Sequence, residues 1–136
     1  MNSVNVKKKF NLSCPSWQNI LNNLNDSVKN NEEVKHRCLG FFFSDEANKI
    51  LEVQKVLEEL KLNNAHLYIN ITENGGTYGR HCDIIDVYYW QVQGETIWKF
   101  DNEEYVIKPG DLITVPKGVY HNVIPLGPRV GVSMSI

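Results

Sequence analysis

The chain has 136 residues, 42% of them hydrophobic and 22% charged, with a formal net charge of −2. That length holds one domain around one core. The composition excludes a disordered or membrane-embedded chain, and the near-neutral balance excludes the basic footprint of a nucleic-acid binder.

Residues 1–12 read as a flexible tail in which Lys7, Lys8 and Lys9 are solvated. No apolar stretch follows these basic residues, so the pattern is not that of a signal peptide. No run approaches the roughly 20 apolar residues that span a bilayer. Cys14, Cys38 and Cys82 are odd in number and irregular in spacing, with no CxxC. That argues against a disulfide framework and a structural zinc site. The expectation is a soluble, cytoplasmic protein without membrane or nucleic-acid partners.

Residues 13–64 read as a helical buttress. From Pro15 to about Val28 the apolar residues Trp17, Ile20, Leu21, Leu24 and Val28 form one helical stripe, with Pro15 suited to a first turn. CLGFFF (38–43) is a short buried run with strand character. Ser44 is a candidate N-cap for a second helix, with Asp45 and Glu46 at the positive end of its dipole. Ile50, Val53, Leu57 and Leu60 give its buried face, and Asn63-Asn64 closes it.

From Ala65 the period changes to two. AHLYINIT alternates, with Leu67, Ile69 and Ile71 on one face and His66, Tyr68, Asn70 and Thr72 on the other. ENGGTYG (73–79) is a turn. DIIDVYYWQVQ (83–93) reads as a long strand covered on both faces. TIWKF, EYVI, DLITV and RVGVSMSI follow as short strands punctuated by Gly94-Glu95, Asp101-Asn102, Pro109-Gly110, Pro116-Lys117-Gly118 and Gly127-Pro128. Many short strands at this spacing predict an antiparallel jelly roll.

The chemistry gathers at His81-Cys82-Asp83. On a strand, residues i and i+2 share a side, so His81 and Asp83 converge and Cys82 points away. Two ligands do not complete a site. His121 supplies a third, in a stretch where a strand ends at Pro116, a turn follows at Gly118 and the histidine begins the next strand. Two imidazoles and one carboxylate leave three positions on one face of an octahedral Fe(II) for exogenous ligands. A closed structural site would use four protein ligands, often thiolates. The bland alternative is a pair of hydrogen-bonded strand histidines.

At these residues the sequence resembles a cupin, and within the cupins the JmjC-like ribosomal oxygenases. Gly110, Pro116, Gly118 and His121 match the second cupin motif, and Gly75 and His81 the start of the first. Asp83, Gln91, Gly94 and Trp98 fall in register with the HxD…Q…G…W stretch of those oxygenases, and GVSMSI resembles their last core strand. The resemblance covers about residues 65–136. It implies a mainly β fold, a double-stranded β-helix with two N-terminal helices packed on it. Residues 13–136 would then form a single domain whose jelly-roll core is 65–136. It also implies Fe(II) on His81, Asp83 and His121, with 2-oxoglutarate as co-substrate for hydroxylation of an unidentified small-molecule or protein substrate. A homodimer is a further expectation, because cupins often pair.

The family usually has a Lys two residues before the Trp, where it meets the distal carboxylate of 2-oxoglutarate; this chain has Thr96. A hydroxyl does not neutralise a buried carboxylate. Arg129 is the best substitute cation, on a strand face shared with Gly131, Ser133 and Ser135, although its place after Pro128 equally suits an exposed strand end. Asn70, Tyr78, Tyr89, Gln91, Trp98 and Ser133 are further pocket candidates, with ordinary packing as the alternative for each. The competing functions are a metal cupin that does not use 2-oxoglutarate, such as a small-molecule dioxygenase or isomerase, and a non-catalytic binding module.

Overall fold

The structure, a computed structural model, describes residues 3–30, 34–38, 40–73 and 77–136. Gly75, Leu39 of the CLGFFF run and the centre of the ENGGTYG turn fall outside those residues. The elements in chain order are β1 (Asn5–Lys7), α1 (Trp17–Lys29), β2 (Val34–Cys38), β3 (Phe41–Ser44), a 3-10 turn (Ala47–Lys49), α2 (Leu51–Leu60) and β4 (Asn64–Asn70). They continue as β5 (Val87–Gln93), β6 (Thr96–Lys99), β7 (Glu104–Ile107), β8 (Leu112–Val115), β9 (Asn122–Pro125) and β10 (Arg129–Ser135).

Among the described residues, two antiparallel sheets face each other. One has seven strands in the order β1-β8-β5-β10-β4-β3-β2, and the other three, β7-β6-β9. Strict alternation along β10 and β5 divides the interior into two cores. Val130, Val132, Met134, Trp90 and Val92 meet the helices on the outer face of the large sheet. Tyr89, Val87, Ile113 and Val115 meet Trp98 and Ile107 of the small sheet. This is the expected mainly β jelly roll with two helices packed on it. Among the described residues no helix is long and apolar enough to cross a membrane.

The helices differ from expectation in detail. Ser16 is the N-cap of α1, its hydroxyl accepting from the Asn19 N–H at 3.1 Å, so Pro15 precedes the cap instead of filling the first turn. Only Ile20 of the predicted stripe is wholly buried. Trp17 and Leu24 pack at the margin, and Leu21 and Val28 are exposed, because the helix rests on the sheet along one narrow line. Ser44 ends β3 instead of capping a helix; its hydroxyl accepts from Glu46 N, and α2 begins only at Leu51. Lys61, in the left-handed region at φ 57°, closes α2 before Asn63 and Asn64, which already join β10 and β4.

The predicted long strand over 83–93 begins only at Val87, and Ile84 is 93% exposed. Residues 81–86 form a connecting segment that carries two of the candidate ligands. Residues 3–12 are not a flexible tail. β1 pairs with β8, Lys8 Nζ lies 2.9 Å from Asp111 Oδ2, and the Asn11 carbonyl accepts from the buried Trp90 indole at 3.1 Å.

Candidate metal centre

His81 and His121 lie on different connections and are drawn together by an isolated two-residue bridge. The N–H of each donates to the carbonyl of the other, at 2.9 and 2.8 Å. Asp83 is fixed by the Gly118 N–H, which donates to its carbonyl at 2.8 Å; Gly118 takes φ 79°, a conformation that glycine adopts without strain. Convergence therefore comes from two turns clasped by backbone hydrogen bonds, not from the alternation of a regular strand.

Each imidazole is oriented from behind. Nδ1 of His81 is 2.8 Å from the Gly79 carbonyl and Nδ1 of His121 is 2.9 Å from that of Val119. A carbonyl only accepts, so both Nδ1 atoms carry protons and both Nε2 atoms are free in the neutral rings. Nε2 of His121 is 3.5 Å from one Asp83 oxygen, and Nε2 of His81 is 3.9 Å from the other. One donor atom from each residue falls within 4.8 Å of the others. Adjacent donors on an octahedral ion about 2.1 Å away stand about 3 Å apart, so the three side chains would draw closer together to share one divalent ion. Among the described residues this is the one cluster of its kind.

Burial, the largest influence, pushes the His121 imidazolium below its ordinary range. The Val119 carbonyl opposes this, His81 adds to it and Asp83 opposes it. The indole of Trp98 stacks on His121 at 5.3 Å and 20°, which keeps the ring plane and excludes water from one side. His121 is thus held neutral, as a metal ligand must be.

The cluster opens into a cavity of about 350 Å³ between the sheets. Strand register gives the cavity direction. The triad segments, His66 and Ser133 lie toward one end of the large sheet, and Arg129 and Asn70 toward the other. The side chains of His81 and Asp83 are about a third exposed, whereas Arg129 is 3% exposed, so the Arg129 end is the closed one. Arg129 is therefore not a surface strand end. Its Nε donates to Asn70 Oδ1 at 2.6 Å and its Nη1 to the Tyr89 hydroxyl at 2.9 Å. Among the described residues no carboxylate lies within ion-pair distance of it. Burial, the main influence, pushes the Tyr89 phenol up although Arg129 opposes the shift, so Tyr89 meets the guanidinium as a neutral hydroxyl.

Gly131 makes room for this pair. It pairs with Gln91 in the β10–β5 ladder, and a Cβ there would collide with the phenol ring and hydroxyl of Tyr89.

Of the predicted pocket residues, Tyr78, Tyr89, Trp98, Arg129 and Ser133 line the cavity, and Asn70, Gln91 and Thr96 do not. Asn70 stands behind Arg129 as its acceptor. Gln91 shares the face of Tyr89, but its amide donates to the Gln93 and Gly94 carbonyls and staples the β5–β6 turn. Thr96 donates to the Gln91 side-chain oxygen, buried at 3.1 Å. Thr96 thus packs within that turn, with its hydroxyl engaged by Gln91. The sequence reading did not single out Phe41 or Tyr68 as lining, nor a 2.6 Å pair between His66 and Asp45. The alternation of β4 puts His66 and Tyr68 on the same face as the pocket candidate Asn70, but Asp45 reads as a helix-terminal charge.

No protein-family model matches the chain, and no curated protein matches it. Solved structures do. The Escherichia coli protein YcfD aligns over 98% of this chain and 49% of its own, with a TM-score of 0.77 at 13% identity. YcfD described as a ribosomal oxygenase in complex with cobalt and succinic acid aligns over 98% and 48%, with a TM-score of 0.75 at 14% identity. A cupin superfamily protein from Desulfitobacterium hafniense aligns over 75% and 82%, with a TM-score of 0.56 at 17% identity. The chain spans about half the length of the ribosomal oxygenase chains. The 2-His-1-carboxylate cluster, clasped between two turns at the open end of the jelly roll, thus sits on a cupin fold of the kind found in JmjC-like ribosomal oxygenases.

Proposed function

We propose that this protein is an Fe(II)-dependent oxygenase that takes 2-oxoglutarate as co-substrate to hydroxylate a further substrate. The observation that carries the reading is the buried Arg129, which shares the triad's cavity and has no carboxylate partner among the described residues. A lone buried guanidinium is costly unless an anion meets it, and its planar fork suits a carboxylate. The indole N–H of Trp98, also in the cavity wall, is buried without an acceptor among the described residues. A ligand oxygen would satisfy it.

His81, Asp83 and His121 would hold the metal. When bound, Fe(II) and 2-oxoglutarate supply dioxygen activation, with succinate and carbon dioxide as products and a substrate C–H oxidised to C–OH. The remaining work belongs to the chain. Gly79 and Val119 fix the imidazole tautomers, Asn70 and Tyr89 hold the guanidinium at the closed end, and Trp98 shields His121 from water. Thr96, where the resemblance expects a lysine, supports the second reading, a metal cupin that does not use 2-oxoglutarate.

Anaerobic titration of the Fe(II)-loaded protein with 2-oxoglutarate separates the two. A weak visible charge-transfer band that saturates, and that Asp83→Ala abolishes, is the result expected. Bound Fe(II) with no band at millimolar 2-oxoglutarate would overturn the proposal in favour of other cupin chemistry.

A further inference from the structure

His66, which lines the cavity, forms with Asp45 a second polar centre separate from the triad. Their side chains are 38% and 39% exposed, and Nδ1 of His66 is 2.6 Å from Asp45 Oδ1. An exposed pair of this kind contributes at most about 1 kcal/mol to stability, and β4 is already held by ladders to β3 and β10. Holding the fold together therefore accounts for little of the pair.

The geometry constrains its chemistry. An ionised carboxylate only accepts, so the short contact puts the proton on Nδ1. In its neutral form the ring offers Nε2 as an acceptor, and among the described residues that nitrogen has no partner. Phe43 stacks on the ring at 5.3 Å and 25° and fixes its plane. In the ladder His66 stands opposite Ser133, another wall residue of the same cavity.

Aromatic rings continue from there to the metal site. Phe43 meets Tyr68 at 5.5 Å, Tyr68 meets Tyr78 at 5.7 Å, and Tyr78 meets the ligand His81 at 5.7 Å. Burial above all pushes the Tyr68 phenol up, so Tyr68 faces this part of the cavity as a neutral hydroxyl. A flat molecule lying along it would have one edge beside the triad and the other beside His66.

We infer that His66, oriented by Asp45, is the substrate-anchoring residue of the cavity, accepting a hydrogen bond from a hydroxyl or N–H on a planar, ring-bearing substrate whose opposite edge faces the metal. The inference builds on the oxygenase reading for what happens at the metal, but not for the binding itself.

The test uses the full chain loaded with Zn(II), which is inert to oxygen, with and without saturating 2-oxoglutarate. The probes are phenol and anisole, alike in shape except that anisole has no donor. Affinities are read by NMR titration, and the ¹⁵N resonance of His66 Nε2 is followed in histidine-labelled protein. Phenol is expected to bind about fivefold or more tightly than anisole, the worth of one net hydrogen bond, and to shift the Nε2 resonance as anisole does not. His66→Phe should bring the two probes to equal affinity, and Asp45→Ala should weaken phenol selectively. Equal affinities in the unmodified protein, no binding of either probe, an unmoved Nε2 resonance, or a preference that survives His66→Phe would each overturn the inference. The resonance arm needs no variant, so a misfolded variant does not rescue the idea. If the probes discriminate but 2-oxoglutarate does not bind, the anchor stands and the oxygenase reading falls; the converse separates them the other way.

Discussion

Replacing Arg129 by Met isolates the guanidinium from the fold that holds it. The side chain donates to two neutral acceptors, Asn70 and Tyr89. Hydrogen bonds to a charged group contribute about 1.5–3 kcal/mol each, so their loss costs about 3–6 kcal/mol. The same substitution removes a buried cation whose desolvation penalty is itself several kcal/mol, and Met fills much of the vacated volume. These effects oppose each other, and the net change in stability should lie within about 2 kcal/mol, a few degrees in Tm for a chain of this size. Co-substrate binding has no such compensation. Removing the buried partner of a carboxylate costs about 2–5 kcal/mol, a loss of about thirtyfold to several thousandfold in affinity. Isothermal titration of 2-oxoglutarate into anaerobic Fe(II)-loaded protein, beside a thermal melt, reads both numbers. Thr96→Ala is the control and should alter 2-oxoglutarate affinity by no more than about threefold, because its hydroxyl serves Gln91. A folded Arg129→Met protein with unchanged affinity would refute the reasoning.

Three further outcomes follow from the same geometry. Gly131→Ala should drive the Tyr89 phenol from its place, costing about 1–3 kcal/mol of stability and weakening 2-oxoglutarate through Arg129; a melt and a titration check both. His121 has a folded pKa below its ordinary 6.5, chiefly through burial. The unfolded chain therefore takes up that proton first, so the metal-free protein should be fully stable above about pH 6.5 and lose stability as pH falls through 6.5 toward the folded value. Metal affinity should fall over the same window, which a pH series of melts with and without metal would show. Asp111→Ala should destabilise by about 2–4 kcal/mol, because the buried carboxylate accepts from the Lys9 and Lys108 N–H groups as well as from Lys8 Nζ; denaturant unfolding measures it.

The sequence carried the strands from Ala65 onward because each has a period of two bounded by Gly, Pro or Asn-Asp turns, and local pattern is enough for that. It also carried His81, Asp83 and His121, but for a reason that differs from the structure. Alternation along a strand implied that the first two converge, whereas residues 81–86 are not strand, and the clasp between His81 and His121 is a long-range contact with no local signature. Gln91 shows the limit of parity. It shares a face with Tyr89, yet its amide turns to the Gly94 bend and never reaches the cavity. Asp45 shows the same limit from the other side. Beside Ser44 and Glu46 it reads as a helix-terminal charge, and only the pairing of β3 with β4 brings it to His66. The ordered N-terminus was equally hidden, since three lysines in a polar stretch look solvated until Asp111 is known to lie beneath them.

That N-terminal strand changes how the protein should be handled. Without β1, the large sheet would end at β8, whose Leu112, Ile113 and Val115 flank a row of unsatisfied backbone groups, a template on which another chain could add a strand. β1 caps that margin with three residues ending in Lys7, followed by Lys8 and Lys9. A short strand with a run of positive charge is a poor template for a second copy. The segment acts as a gatekeeper. Trimming it as though it were a dispensable leader should yield a protein that sticks to itself, visible as a concentration-dependent increase in light scattering, and not merely one that melts earlier.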